Sequence, residues 1–333
     1  MILPLEPYPK ELEQEDDQPR RNMASTGEII CEGITKVYSG GKTALSSVSF
    51  SIPAHGIFAV IGRNGAGKTT LARVLSTLLE PSSGKASIDG LDVMADANRL
   101  RERVAVVPQE GKTVSWMTPV QTVSTYLMWR GVDYKGSMRM AREAVAKVGL
   151  GPQADRLNRT LSGGMKRKVL VSMVLASDAE FIFLDEPSTG LDPISRQELW
   201  RLLLELGKDR FLLLTTHYLE EAEHVADRIG ILDEGELVAL GSMEQLRGRL
   251  RHDYSLEIPE GTVLKVRDGE TVALGNGRVK VLTTRNEALD LSQRLIEGKV
   301  QFSVNPVTLD DIFTYTVGAM DAEVAETREA EEE

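Results

Sequence analysis

Nine consecutive residues constrain this chain more than any other stretch. Gly62-Arg63-Asn64-Gly65-Ala66-Gly67-Lys68-Thr69-Thr70 has the spacing GxxxxGK[ST]. The apolar run IFAVIG (57–62) leads into it and the helical run TTLARVLSTLL leads out. A strand must therefore enter a glycine-rich turn and leave it as a helix. Glycines allow backbone N–H groups to wrap an anion, and the helix N-terminus adds about half a positive charge. In that geometry Lys68 reaches the β- and γ-phosphates of a nucleotide and the Thr69 hydroxyl ligates Mg²⁺. A glycine-rich turn with a chance lysine is the bland alternative, and the strand before and helix after speak against it.

Three more apolar runs read as strands: VAVVPQ (104–109), FIFLDE (181–186) and FLLLTTH (211–217). Near-continuous apolar strands belong to sheets covered on both faces. Each run ends in a polar residue, and open α/β sheets collect their chemistry at the carboxyl ends of strands. Amphipathic helical stretches alternate with these runs. The fold class is therefore α/β: a mainly parallel P-loop sheet flanked by helices. Asp185 ends its strand where a carboxylate can hold Mg²⁺ directly or through water. Glu186 follows, placed to polarise an attacking water.

Residues 119–176 carry helical spacing and no convincing strand, which predicts a helical subdomain over about 111–176, inserted into the sheet. A hairpin around Asp233-Glu234-Gly235 and a short helix near 243–250 complete a domain spanning 28–250. Beyond 251 the character changes. The runs YSLEI, VLKV, VKVLTT and VQFSV, a helix at 286–297 and a closing TLDDIFTYTV predict a small α+β C-terminal domain over 251–318. The ends, 1–27 and 319–333, read as disordered acidic tails.

Those tails account for most of the formal charge of −11. Residues 1–27 contribute −3 and 319–333 contribute −6, which leaves −2 for everything between. The folded part is close to neutral, so charge gives no reason to expect a nucleic-acid partner. A single cysteine, Cys31, excludes an intrachain disulfide. No apolar run approaches the roughly 18 residues of a membrane span. The acidic, proline-rich start does not read as a secretory signal. Membrane contact is expected through a partner.

At this point the chain resembles the ABC-type ATPases. Leu161-Ser162-Gly163-Gly164-Met165 matches their signature motif, and Pro187-Ser188-Thr189-Gly190-Leu191-Asp192 matches their D-loop. Gln109 matches the Q-loop, His217 the switch histidine and Tyr38 the aromatic that stacks on adenine. The resemblance covers about residues 29–250. It implies Mg²⁺-dependent ATP hydrolysis, with Glu186, His217 and Gln109 at the chemistry and Thr69, Gln109 and Asp185 around the metal. It further implies that Ser162, Gly163, Gly164 and Asp192 face the nucleotide of an opposing subunit. Ser162-Gly163-Gly164 precedes a helix, so its amides form a second anion site; a plain helix cap is the structural alternative.

LSGGMKRK, with Met165 in place of the more usual Gln, is similar to the exporter-type subfamily that pairs with ABC-2-type permeases. VTLDDIFTYTVG resembles the closing motif of the C-terminal domain common there. The expected system is an exporter: a separately encoded permease and a second nucleotide-binding subunit, sufficient as a homodimer, on the cytoplasmic face of the membrane. The alternative is a soluble ABC-type ATPase, in cofactor assembly for example. Trp116, Met117, Tyr126, Met128 and Trp129 cluster in the insertion and read equally as helix core or as partner contact. His55, His224 and His252 have no motif partner and read as surface or structural.

Overall fold

A computed structural model describes residues 27–262, 266, 269–273 and 277–317. The two acidic ends and residues 263–265 of the VLKV run lie outside the described residues.

The central sheet has six strands. Edge to edge they are Glu236–Gly241, Arg228–Asp233, Gly56–Ile61, Phe211–Thr216, Phe181–Asp185 and Val104–Val107. The last five are mutually parallel, and Glu236–Gly241 closes one edge as the antiparallel arm of a hairpin. Gly56–Ile61, Phe181–Asp185 and Phe211–Thr216 are buried at every position, as their unbroken apolar sequences require. Their side chains divide by the strand period of two. Ile57, Ala59, Ile61, Ile182, Leu184, Leu212 and Leu214 enter one core. Phe58, Val60, Phe181, Phe183, Phe211 and Leu213 enter the other.

A second sheet roofs that other core. Thr43–Pro53, Glu28–Val37, Ser83–Ile88 and Leu91–Asp92 pair antiparallel, in that order. Sequence reading singled out continuous apolar runs and so passed these strands over. Thr43–Pro53 alternates buried and exposed positions, and Glu28–Val37 is broken by register shifts after Cys31.

The helical insertion forms as expected. Pro119–Trp129, Tyr134–Lys147 and Gly163–Ala176 pack around their own core of Val120, Val123, Leu127, Ala141, Val145 and Val169. A capping box of Thr118 with Gln121 starts the first helix, with Pro119 at its first position. Trp116 and Trp129 stay 74% and 83% exposed, so they contribute little to that core.

The C-terminal unit has four antiparallel strands, ordered Gly269–Ala273, Arg278–Thr283, Tyr254–Pro259, Ser303–Pro306. Helix Arg285–Glu297 covers them with Ala288, Leu291 and Leu295. A last helix, 309–317, leaves this sheet and joins the main core. Leu309, Ile312 and Val317 cluster there with Val225, Leu246 and Leu250. Glu223 anchors the junction, accepting from Leu309 N at 3.2 Å and from Arg247 Nη2 at 2.9 Å.

Candidate functional site

The glycine-rich loop runs from the end of strand Gly56–Ile61 to helix Lys68–Leu75. Gly67 caps that helix with φ 104°, in the left-handed region. A Cβ there would lie 2.2 Å from Ala44 O, so only glycine fits on both counts. A Cβ on Gly62 would meet Leu232 O at 2.1 Å. Close packing thus holds the loop from behind, at Gly62, Ala66 and Gly67, while Asn64 and Gly65 line the open side. Lys68 is buried, and its Nζ donates to Gly62 O at 2.8 Å and to Arg63 O at 2.9 Å. Burial lowers the affinity of this amine for its proton, and the carboxylates of Glu186 and Asp185 oppose the effect.

A cleft of about 470 Å³ opens over this loop. Its lining includes Tyr38, Lys68, Thr69, Gln109, Glu186 and His217. These come from four strand ends and one helix start, which is why they lie far apart in sequence. Tyr38 OH meets Thr70 Oγ1 at 3.2 Å, fixing the ring at the rim. Asp185 sits behind Thr69: its Oδ1 accepts from Thr69 Oγ1 at 3.0 Å and from Thr215 Oγ1.

Glu186 is the most heavily held group in the cleft. Its Oε2 accepts from Gln109 Nε2 at 3.0 Å and from Thr189 Oγ1 at 3.1 Å. Its Oε1 pairs with His217 Nδ1 at 3.1 Å. The backbone at Glu186 has φ 49°. A residue before proline is ordinarily extended, and a left-handed non-glycine residue costs on the order of 1–3 kcal/mol. The surroundings must impose that conformation.

Arg167 supplies part of that constraint, and sequence reading missed it. It lies in helix Gly163–Ala176 and is buried. Its guanidinium donates to Pro108 O at 2.9 Å, Gln109 O at 3.3 Å, Glu186 O at 2.9 Å, Pro187 O at 3.3 Å and Asp185 O. Its only signal in the sequence is its place within LSGGMKRK. Thr189 and Thr215 were also missed as contacts of the two carboxylates.

Four of the sequence-derived residues lie elsewhere. Ser162 and Gly163 are exposed at the start of helix Gly163–Ala176, where Ser162 Oγ accepts from Met165 N at 3.2 Å. Gly164 is partly covered by Leu191. Asp192 is exposed and caps helix Pro193–Gly207, accepting from Ser195 N at 2.9 Å. None of the four lines the cleft over Lys68.

The donor set fits a magnesium nucleotide. Among the described residues there is no cluster of three His, Cys, Asp or Glu side chains able to cage a metal. Mg²⁺ asks for less: one or two protein oxygens, with phosphates and waters as the rest. A hydroxyl and a carboxylate 3.0 Å apart beside a phosphate-shaped backbone loop meet that requirement.

Comparison with known proteins places this architecture. Residues 45–189 match the ABC transporter family. The daunorubicin/doxorubicin resistance ATP-binding protein DrrA of Streptomyces peucetius is 33% identical over 331 residues, covering 94% of this chain and 98% of that protein. The chain belongs to the ABC transporter ATP-binding proteins. As one of them it binds and hydrolyses ATP in support of transport, and such proteins work as dimers with a membrane permease. ABC transporter A family member 10 of Arabidopsis thaliana is 34% identical over 250 residues. This ABC protein spans only 28% of that much longer relative. Among solved structures, cbiO1 of Clostridium perfringens, part of the transporter complex cbiONQ, superposes with TM-score 0.59 at 26% identity, covering 66% of this chain and 90% of its own. A dimeric ATP-binding cassette bound to ADP and phosphate shares the fold at TM-score 0.60 and 22% identity, covering 65% of this chain and 98% of its own. No described helix of this ABC protein is long and apolar enough to cross a membrane.

Proposed function

We propose that this ABC protein powers export through a separately encoded permease, by closing and reopening a homodimer of nucleotide-binding domains around ATP. One observation carries the reading. Lys68, Thr69, Gln109, Glu186 and His217 face one cleft, while Ser162, Gly163 and Asp192 are exposed outside it, with Gly164 half-buried beside them. A second copy can bring those surface groups over the cleft.

In this reading residues 62–70 hold the phosphates, Tyr38 stacks on the adenine, and Thr69, Asp185 and Gln109 surround Mg²⁺. When bound, the metal neutralises charge building on the phosphates. Glu186 accepts the proton of the attacking water on the carboxylate that Gln109 and His217 aim. The nucleotide-binding domain spans 28–250, with the insertion at 111–176, and the C-terminal domain spans 251–318. Trp116 and Trp129 are exposed on the insertion, which fits a permease contact at the cytoplasmic face of the membrane. The resistance role printed in the name of the Streptomyces peucetius relative favours export over a cofactor-assembly ATPase.

Glu186→Gln tests the dimer. The amide keeps the shape and cannot take the proton, and losing a general base costs about 10²–10⁴-fold in rate. ATP therefore stays bound and uncleaved. Light scattering after size exclusion should show a monomer without nucleotide and a dimer with saturating ATP. Adding Ser162→Arg should return the protein to monomer, because a bulky side chain fills the opposing anion site. A Glu186→Gln protein that stays monomeric with ATP defeats the sandwich. A double variant that still dimerises shows that Ser162 is not the contact across the interface.

A further inference from the structure

The guanidinium of Arg167 has five N–H donors. Five backbone carbonyls accept them: Pro108 and Gln109 from one loop, Asp185, Glu186 and Pro187 from another. The two loops carry Gln109 and Glu186, and the helix that carries Arg167 begins immediately after Ser162. One side chain therefore ties the signature helix to Glu186, the proton acceptor proposed above, and to Gln109, which holds its carboxylate.

The geometry explains why a guanidinium is needed. Successive carbonyls of a strand point to alternate sides. At residues 185–187 three in a row reach one cation, and the left-handed turn at Glu186, φ 49°, breaks the alternation there. Converging carbonyl dipoles repel one another unless a positive group lies between them. Arg167 is buried there with the carboxylates of Asp185 and Glu186 nearby. A lysine offers three donors from a point charge and cannot span five acceptors in two loops.

We infer that Arg167 is the positioning residue that holds Glu186 and Gln109 in their working geometry and carries movements of the signature helix to them. This rests on the role proposed for Glu186. When the signature helix shifts as the dimer closes, both loops shift with it, because no other described side chain bonds to the carbonyls of both. Closure of the far side of the subunit is thereby felt at the hydrolytic carboxylate.

The full-length protein is compared as wild type, Arg167→Lys, Arg167→Gln, Glu186→Gln and the double variant Glu186→Gln with Arg167→Lys. Melting temperature and affinity for a non-hydrolysable ATP analogue report the fold and the phosphate loop. Steady-state and single-turnover rates report the chemistry. Arg167→Lys should fold and bind the analogue within about 3-fold of wild type, while kcat falls about 10-fold to 10²-fold with little change in KM, as for a misplaced catalytic group. In the Glu186→Gln background the same change should cost less than about 3-fold, because the group it positions is already disabled. Arg167→Lys at wild-type rate overturns the inference, as does an equal loss in both backgrounds. If neither arginine variant folds, Arg167 holds the fold and not the site, and the inference is again wrong. Equal hydrolysis by wild type and Glu186→Gln is a different failure: it removes the role of Glu186, and the role of Arg167 falls with it.

Discussion

Lys68 shows how much a single residue carries. Its ammonium is buried and held by two carbonyls of its own loop, so it is already aimed and largely stripped of water. A cation so prepared gives up little hydration when it meets a phosphate, which makes its attraction effective. Lys68→Ala removes that charge and leaves the carbonyls of Gly62 and Arg63 without their donor. Steady-state phosphate release should fall about 10²-fold or more, in line with the loss of one preorganised charge-stabilising group. An unchanged rate would mean that the loop does not bind the reacting phosphates. At this scale the sequence was highly legible, since the loop motif is contiguous and its spacing is rigid. Arg167 was not legible. Its partners lie 18 to 59 positions away and are backbone carbonyls, which leave no mark in a sequence.

Elements were legible where burial is two-sided. Strands Phe181–Asp185 and Phe211–Thr216 announce themselves by unbroken apolar runs, whereas the antiparallel sheet led by Glu28–Val37 alternates and bulges. Helix Leu219–Val225, which follows His217, carries a feature no pattern suggested. Glu221 is fully buried in it, and its Oε1 accepts from Trp200 Nε1 at 3.1 Å. Burial raises the pKa of this carboxyl above the ordinary value, with the hydrogen bond from Trp200 and the charge of Arg196 pulling the other way. A raised folded-state pKa means that the native state binds more protons than the unfolded chain between the two values. Stability from this group is therefore full below the ordinary glutamate range and lost as pH rises through the folded pKa. Glu221→Gln keeps the acceptor for Trp200 and removes the titration. Its melting temperature relative to wild type should climb from pH 5 to pH 8, by about 1–2 °C for each kcal/mol relieved in a chain of this size. A flat difference across that range would show that the carboxyl is not strained by burial.

At the scale of the whole molecule, the shift in composition near residue 251 marks a change of architecture, but composition cannot show where the last helix goes. The small sheet beyond 251 has its own core under helix Arg285–Glu297. Helix 309–317 turns back instead, and Val307, Leu309, Ile312 and Val317 pack with Ala222, Val225, Leu246 and Leu250. Arg247 Nε also donates to Val307 O at 2.8 Å. Every group in the nucleotide cleft lies before residue 218, so removing 252–333 takes nothing from it. The deletion does uncover the apolar side of helix Leu219–Val225, two residues past His217, and leaves Glu223 and Arg247 with only each other. Uncovering even one large aliphatic side chain costs about 1.5–3 kcal/mol, so the fragment should melt well below the full chain. Its affinity for ATP, measured by calorimetry below that lower melting point, should stay within about 3-fold, because the loop at 62–70 is braced by Ala44 and Leu232 and not by the C-terminal unit. A folded 1–251 fragment that no longer binds ATP would show that the C-terminal helix shapes the cleft itself. A fragment that melts with the full chain would show that the shared core contributes nothing to holding the two parts together.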